Sequence, residues 1–295
     1  VKLVVGYLAT PGGKDALALG VRLARTFDAE LELCMVLPAD KRLTKITAPG
    51  AYDKVLTDQA ESWLAEAAAM VPDGVVANTH VSFADSFADG LISEAVRFDA
   101  LTLVVGGSGA GLARRHSLGS VVNELLHSAP VPVAVAPRGT RKSKVERVRE
   151  VICALGERQG ADLLLDAAVR TSKAAGTPLR LVSLVALDPL FGTLRGDAEA
   201  VREYALTHAR DTLETAKSEL PEGFPVTSTV ADAPTVEDAV NELDWQDGDI
   251  IMVGSSRLSA PRRLFLGATA AKMLRVLEVP MVVVPRDHQP REELK

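Results

Sequence analysis

The stretch VVGGSGAGLARRHSLGSVVNELLHSAPVPVAVAPR, residues 104–138, decides how the rest of the chain is read. It begins inside an apolar run, Leu101–Gly106, of the kind that forms a buried parallel strand. A glycine-rich loop follows, then a helical stretch, Ser120–His127, and a last apolar run, Val133–Ala136. Glycine falls at 106, 109 and 119, with serine at 120. A loop of this kind between a strand and a helix start lets a phosphate meet backbone N–H groups with no Cβ in the way. Ser120 adds a hydroxyl donor. The constellation therefore predicts a nucleotide cradle.

The same pattern returns 148 positions later. Gly106 maps onto Gly254, Gly119 onto Gly267, Pro132 onto Pro280 and Arg138 onto Arg286. Fourteen of the forty positions from Asp99 to Arg138 keep their identity at this fixed offset, too many for chance. The 295 residues are thus two copies of one unit. The boundaries predicted are a first domain over 1–138, a linker over 139–147, a second domain over 148–286 and a charged tail over 287–295.

Outward from that stretch, strands and helices alternate. In the first copy strands are expected at Leu3–Leu8, Leu31–Leu37, Val75–Phe83, Leu101–Gly106 and Val133–Ala136. Helices are expected at Lys14–Thr26, Tyr52–Met70, Ser86–Val96 and Ser120–His127. Ala16, Leu19, Gly20, Leu23 and Phe27 share one helical face. The fold class is therefore α/β: two tandem, five-stranded, parallel, doubly wound sheets flanked by helices, Rossmann-like in type. Ligands of such sheets sit beyond the strand C-termini where strand order reverses, and the glycine loop follows a strand C-terminus. The connections Pro38–Ala51 and Ala186–Arg195 are long enough to be either functional overhangs or plain surface excursions.

Composition narrows the function. Hydrophobic residues make up 47% and charged residues 24%, as in a soluble globular protein. No apolar run approaches the roughly 20 residues that span a bilayer, and no leader-like segment precedes the first strand, so a cytoplasmic protein without membrane contact is expected. The net charge of −6 lies wholly in the second copy, and the short basic run Arg141–Lys144 reads as a solvated linker, so no nucleic-acid partner is expected. Cys34 and Cys153 sit in apolar runs without metal-ligand spacing and read as buried thiols. There is no Walker loop, no nucleophile elbow and no cluster of histidines and carboxylates, and no acid lies in the glycine loop. A binding protein is expected in preference to an enzyme.

The spacing G-x2-G-x9-G-[S/T], filled by Gly106, Gly109, Gly119 and Ser120, resembles that of nucleotide-binding universal stress proteins. The closing runs VPVAVAPR and VPMVVVPR are similar to that family's last strand. The resemblance covers both copies. It implies a stress-response or dormancy regulator that binds ATP, with or without magnesium, and whose occupancy sets conformation or partner choice. By resemblance Gly106 would approach the ribose, Gly109, Gly119 and Ser120 would donate to phosphates, and Val36 would touch adenine. An interaction scaffold independent of nucleotide, a cyclic AMP-binding protein and a slow ATP-hydrolysing enzyme stay open as alternatives.

Two departures from the pattern stand out. Family members place an aspartate just after the first strand. Here Gly6-Tyr7-Leu8-Ala9-Thr10 holds no acid, leaving Tyr7 or backbone groups to face the base. Pro11-Gly12-Gly13-Lys14 reads either as a second phosphate contact or as a turn and helix start. In the second copy Arg257 replaces the middle glycine and Ala268 the serine, so that loop is expected to be degenerate. Arg114-Arg115 recurs as Arg262-Arg263, open to a structural or a phosphate role, and His116 reads as a solvated loop histidine.

The runs Val131–Pro137 and Val279–Pro285 read as terminal strands bounded by prolines, placed at a sheet edge. Antiparallel pairing of the two copies through these strands is expected, with homodimers formed by the remaining surfaces, as the resemblance also implies. The segment Gly139–Val145 reaches at most about 25 Å when extended. Val135→Asp, a charge in mid-strand, is expected to loosen the two copies and speed proteolysis of the linker. Unchanged proteolysis would argue against the pairing.

Overall fold

The computed structural model describes residues 1–39, 51–107, 119–156, 160–187, 198–255, 264 and 266–285. The long connections expected at Pro38–Ala51 and Ala186–Arg195 fall mainly outside these residues, as do the tail, Gly109, Arg114, Arg115, His116, Arg257, Arg262 and Arg263. Two units can be distinguished, one ending at Arg147 and the other beginning at Val148.

In the first unit β1 (Lys2–Gly6), α1 (Pro11–Phe27), β2 (Glu30–Pro38), α2 (Ala51–Ala69), β3 (Ala77–Ala84), α3 (Phe87–Arg97), β4 (Thr102–Gly106), α4 (Ser120–Ser128) and β5 (Val133–Ala136) alternate as the periodicity predicts. All five strands are parallel, in the order β3-β2-β1-β4-β5. Leu3, Val4 and Val5 of β1 and Leu103 and Val104 of β4 are fully buried, since helices cover both faces of a parallel sheet. Strand β3 ends the order and carries the polar side chains Asn78, Thr79 and His80, as an edge that must not recruit further strands. The second unit repeats the pattern with β6 (Glu150–Ala154), α5 (Ala161–Ala175), β7 (Leu179–Ala186), α6 (Ala198–Ser218), β8 (Val226–Ala233), α7 (Val236–Asn241), β9 (Asp249–Gly254), α8 (Ala268–Val276) and β10 (Met281–Val284). Its strand order is β8-β7-β6-β9-β10, again all parallel. Both cysteines are free and buried, and burial raises the pKa of each thiol.

Two expectations shift. Strand β1 stops at Gly6 and α1 starts at Pro11, three residues before the periodic face suggested. The cause is local: Thr10 is extended and its Oγ1 accepts the Gly13 N–H at 3.1 Å, while Pro11 occupies the first helical position. Of the two readings of Pro11–Lys14, the structure therefore shows the helix start. The linker is also less free than its composition suggests. Lys142 and Lys144 are exposed, but Gly139 takes a left-handed φ of 99° and Thr140–Lys142 forms a 3-10 turn. Arg22 of α1 donates to the Val145 carbonyl and the Ser143 hydroxyl, and Arg25 pairs with Glu146 at 2.8 Å. The backbone of this segment lies along α1 because charged groups of the helix satisfy its polar atoms.

The two copies differ at one backbone contact. A Cβ at Gly106 would come 2.0 Å from the Gly12 carbonyl oxygen, whereas among the described residues a Cβ at the equivalent Gly254 would meet only the Leu164 side chain, at 3.6 Å. Gly106→Ala must displace main chain and is expected to lower stability by about 1–3 kcal/mol or more. Gly254→Ala is expected to stay within about 0.5 kcal/mol of the parent. Denaturant unfolding of the two variants measures both.

Candidate functional site

In the first unit, strand order reverses between β1 and β4, because β2 and β3 lie on one side of β1 while β4 and β5 lie on the other. Beyond the carboxyl ends of these strands is a pocket of about 530 Å³. Its position and size are those of small-molecule sites in open α/β sheets.

One end of the pocket is apolar. Cys34 and Val36 of β2, Phe87 and Leu91 of α3 and Val105 of β4 line it. Val36 is held at 4% exposure against α3, where Gly90 leaves room for its methyl groups. Helix α3 is fixed there by Ser86, whose hydroxyl accepts the Asp89 N–H at 3.0 Å. Tyr7 also lines the pocket, yet its N–H donates to the Cys34 carbonyl at 2.9 Å. Its phenol is made less acidic by burial and, secondarily, by the Glu66 carboxylate. The backbone amide of Tyr7 is thus already used and cannot read a ligand edge.

The middle of the pocket is formed by Gly106, Gly107 and the start of α4. Gly106 reaches the pocket as expected, but the space its missing side chain leaves is filled by Gly12 of the chain itself. Its glycine identity is thus required by the approach of the β1–α1 connection. Gly119 is the N-cap of α4, with no side-chain cap and no acid in the first turn. The first bond of the helix runs from the Asn123 N–H to the Gly119 carbonyl, so the amides of Ser120, Val121 and Val122 have no partner within the helix. All three residues line the pocket, where such amides and the helix dipole favour an anion. Ser120 is exposed and places its hydroxyl at the same helix start. Helix α1 offers less, because Pro11 has no N–H and that of Gly13 is taken by Thr10.

The other end is charged. Asp15, Arg138 and Arg141 line it, none of them singled out as site residues by the sequence. Asp15 is 1% exposed and accepts the N–H groups of Gly139 and Arg141 at 3.1 and 2.9 Å. It also forms an ion pair with the Arg141 guanidinium at 2.7 Å. Among the described residues Arg138 has neither hydrogen bond nor ion pair. The repeat had already matched Arg138 with Arg286, and that match was the signal available for it. Asp15 and Arg141 are 126 positions apart, and nothing in the local pattern joins them.

A profile of the universal stress protein family matches residues 2–137 and again 147–285. The chain belongs to the universal stress protein family. Universal stress proteins of Mycobacterium tuberculosis and Mycobacterium bovis are each 28% identical to it over 291 residues, covering 96% of this chain and 99% of theirs. The crystal structure of a universal stress protein from Archaeoglobus fulgidus superposes with a TM-score of 0.69 at 18% identity, covering 97% of this chain and 98% of that one. It shares the fold.

Within this tandem universal stress protein the second copy keeps the helix start but not its chemistry. Gly267 caps α8 without a side-chain bond, and Ala268 brings no hydroxyl. The position equivalent to Asp15 is Leu163, 40% exposed on α5. Asp15→Ala is expected to leave two linker N–H groups and one guanidinium without their partner, at a cost of about 1–3 kcal/mol. Thermal melting should show the loss, and trypsin should cut faster at Arg141 and Lys142. Cleavage at the parent rate would mean that Asp15 does not hold this segment.

Proposed function

We propose that the protein binds one adenine nucleotide, ATP, in the pocket of its first unit and acts as a regulator rather than an enzyme. The observation that carries this reading is the uncapped start of α4, where Gly119 and Ser120 face a pocket whose opposite end is apolar. An apolar end suits a base, and free amides with a hydroxyl suit phosphates. In this proposal Val36 and Leu91 contact adenine, and Gly106, Gly119 and Ser120 lie along ribose and phosphates. Gly109 completes the loop by its place in the sequence pattern. Occupancy then sets the conformation presented to partners, in a cytoplasmic, homodimeric protein. The altered second copy, with Arg257 and Ala268, serves as scaffold and binds nucleotide at least tenfold more weakly.

Calorimetric titration of the intact chain with ATP tests this. One site per chain is expected. Ser120→Ala should weaken it by about 1.5–3 kcal/mol, the scale of one hydrogen bond to a charged group. Gly109→Val should abolish binding while the variant melts normally. Two equal sites, or binding indifferent to both substitutions, would overturn the proposal. Release of phosphate that depends on Ser120 would point to an enzyme instead.

A further inference from the structure

The pocket crosses the ends of four neighbouring strands, β2, β1, β4 and β5, and its chemistry changes steadily along that path. Strands lie about 4.8 Å apart, so the path from β2 to β5 is roughly 14 Å. Val36 and Leu91 make the β2 end apolar, the start of α4 lines the same pocket, and Arg138 follows β5. Resting on the nucleotide reading above, we propose that Arg138 and Arg141 select nucleoside di- and triphosphates over monophosphates and cyclic monophosphates. A ligand with its base against Val36 places its first phosphate near the start of α4. Only a longer phosphate chain extends toward the two guanidinium groups.

The charges around this end support the assignment. Asp15 is the only acid lining the pocket among the described residues, and its oxygens already accept two backbone N–H groups and Arg141. Its negative charge is therefore matched within the protein. Arg141 spends Nη1 on Asp15 and on the Pro11 carbonyl at 3.4 Å, so only part of its planar fork of five N–H donors is used. Arg138 is exposed and unpaired among the described residues, so it has nothing to give up on meeting a phosphate. At the base end, in contrast, no carboxylate lines the pocket among the described residues. Discrimination among ligands therefore rests on the phosphate end.

The test is calorimetric titration of the intact chain with ATP, ADP, AMP and cyclic AMP, repeated on Arg138→Gln and Arg138→Lys. Arg138 has no partner among the described residues, so its variants should melt like the parent. The parent is expected to bind ATP about tenfold or more tightly than AMP or cyclic AMP, the effect of at least one charge-assisted hydrogen bond. Arg138→Gln should collapse the ATP-to-AMP ratio while leaving the affinity for AMP unchanged, and Arg138→Lys should restore part of it. Arg141→Gln should reduce the ratio further. If ATP binds but its advantage over AMP survives both glutamine substitutions, the phosphate-counting assignment is wrong and the nucleotide reading stands. If none of the four compounds binds, both fail together.

Discussion

The Gly12 carbonyl occupies the place where a side chain at position 106 would lie, and the geometry of the first unit depends on that close backbone approach. It lets the connection after β1 fold over the end of β4, which brings Thr10 into position to cap α1. With α1 seated, Asp15 faces the segment after β5, and Arg138 and Arg141 come to the mouth of the same pocket. A parallel sheet creates a crevice wherever its strand order reverses. What makes this crevice a shaped pocket is the packing of one main-chain oxygen against a residue without a Cβ.

Duplication of the unit has produced two domains with equal architecture and unequal chemistry. Their cores follow the same rule, with continuous apolar strands and helices on both faces, so substitution at the loop leaves the fold intact. Gly254 keeps the glycine but has no main-chain neighbour pressing on it among the described residues, and Leu163 stands where Asp15 is buried. The second copy thus differs from the first at several independent positions that line the first pocket. Such differences leave the fold unchanged, since fold and site are maintained by different residues.

Strand and helix positions could be read from the sequence because they depend on local periodicity, and the duplication because identities recur at a fixed offset. Gly119 and Ser120, marked by the glycine pattern, and Val36, marked only by its place near a strand end, all line the pocket. Other features were not legible. The start of α1 was misjudged because a Thr-Pro cap outweighs the hydrophobic period. Gly106 lines the pocket, but the need for glycine there, set by the carbonyl of Gly12, comes from a contact across the fold. Arg141 was read as linker because its partner, Asp15, is joined to it only by the fold. Long-range polar contacts leave no periodic trace, so sequence spacing cannot reveal them.

The dependence of Asp15 on residues 139–141 has a consequence for how the protein is made. A chain emerging from the ribosome displays the first sheet complete once Ala136 is out. At that moment the buried carboxylate still lacks the backbone donors and the guanidinium that neutralise it. The first domain therefore finishes folding only when the opening residues of the connection to the second have been synthesised. Vectorial synthesis thereby sets a fixed order, in which the lead-in to the second domain is fastened to the first before the second sheet begins to form.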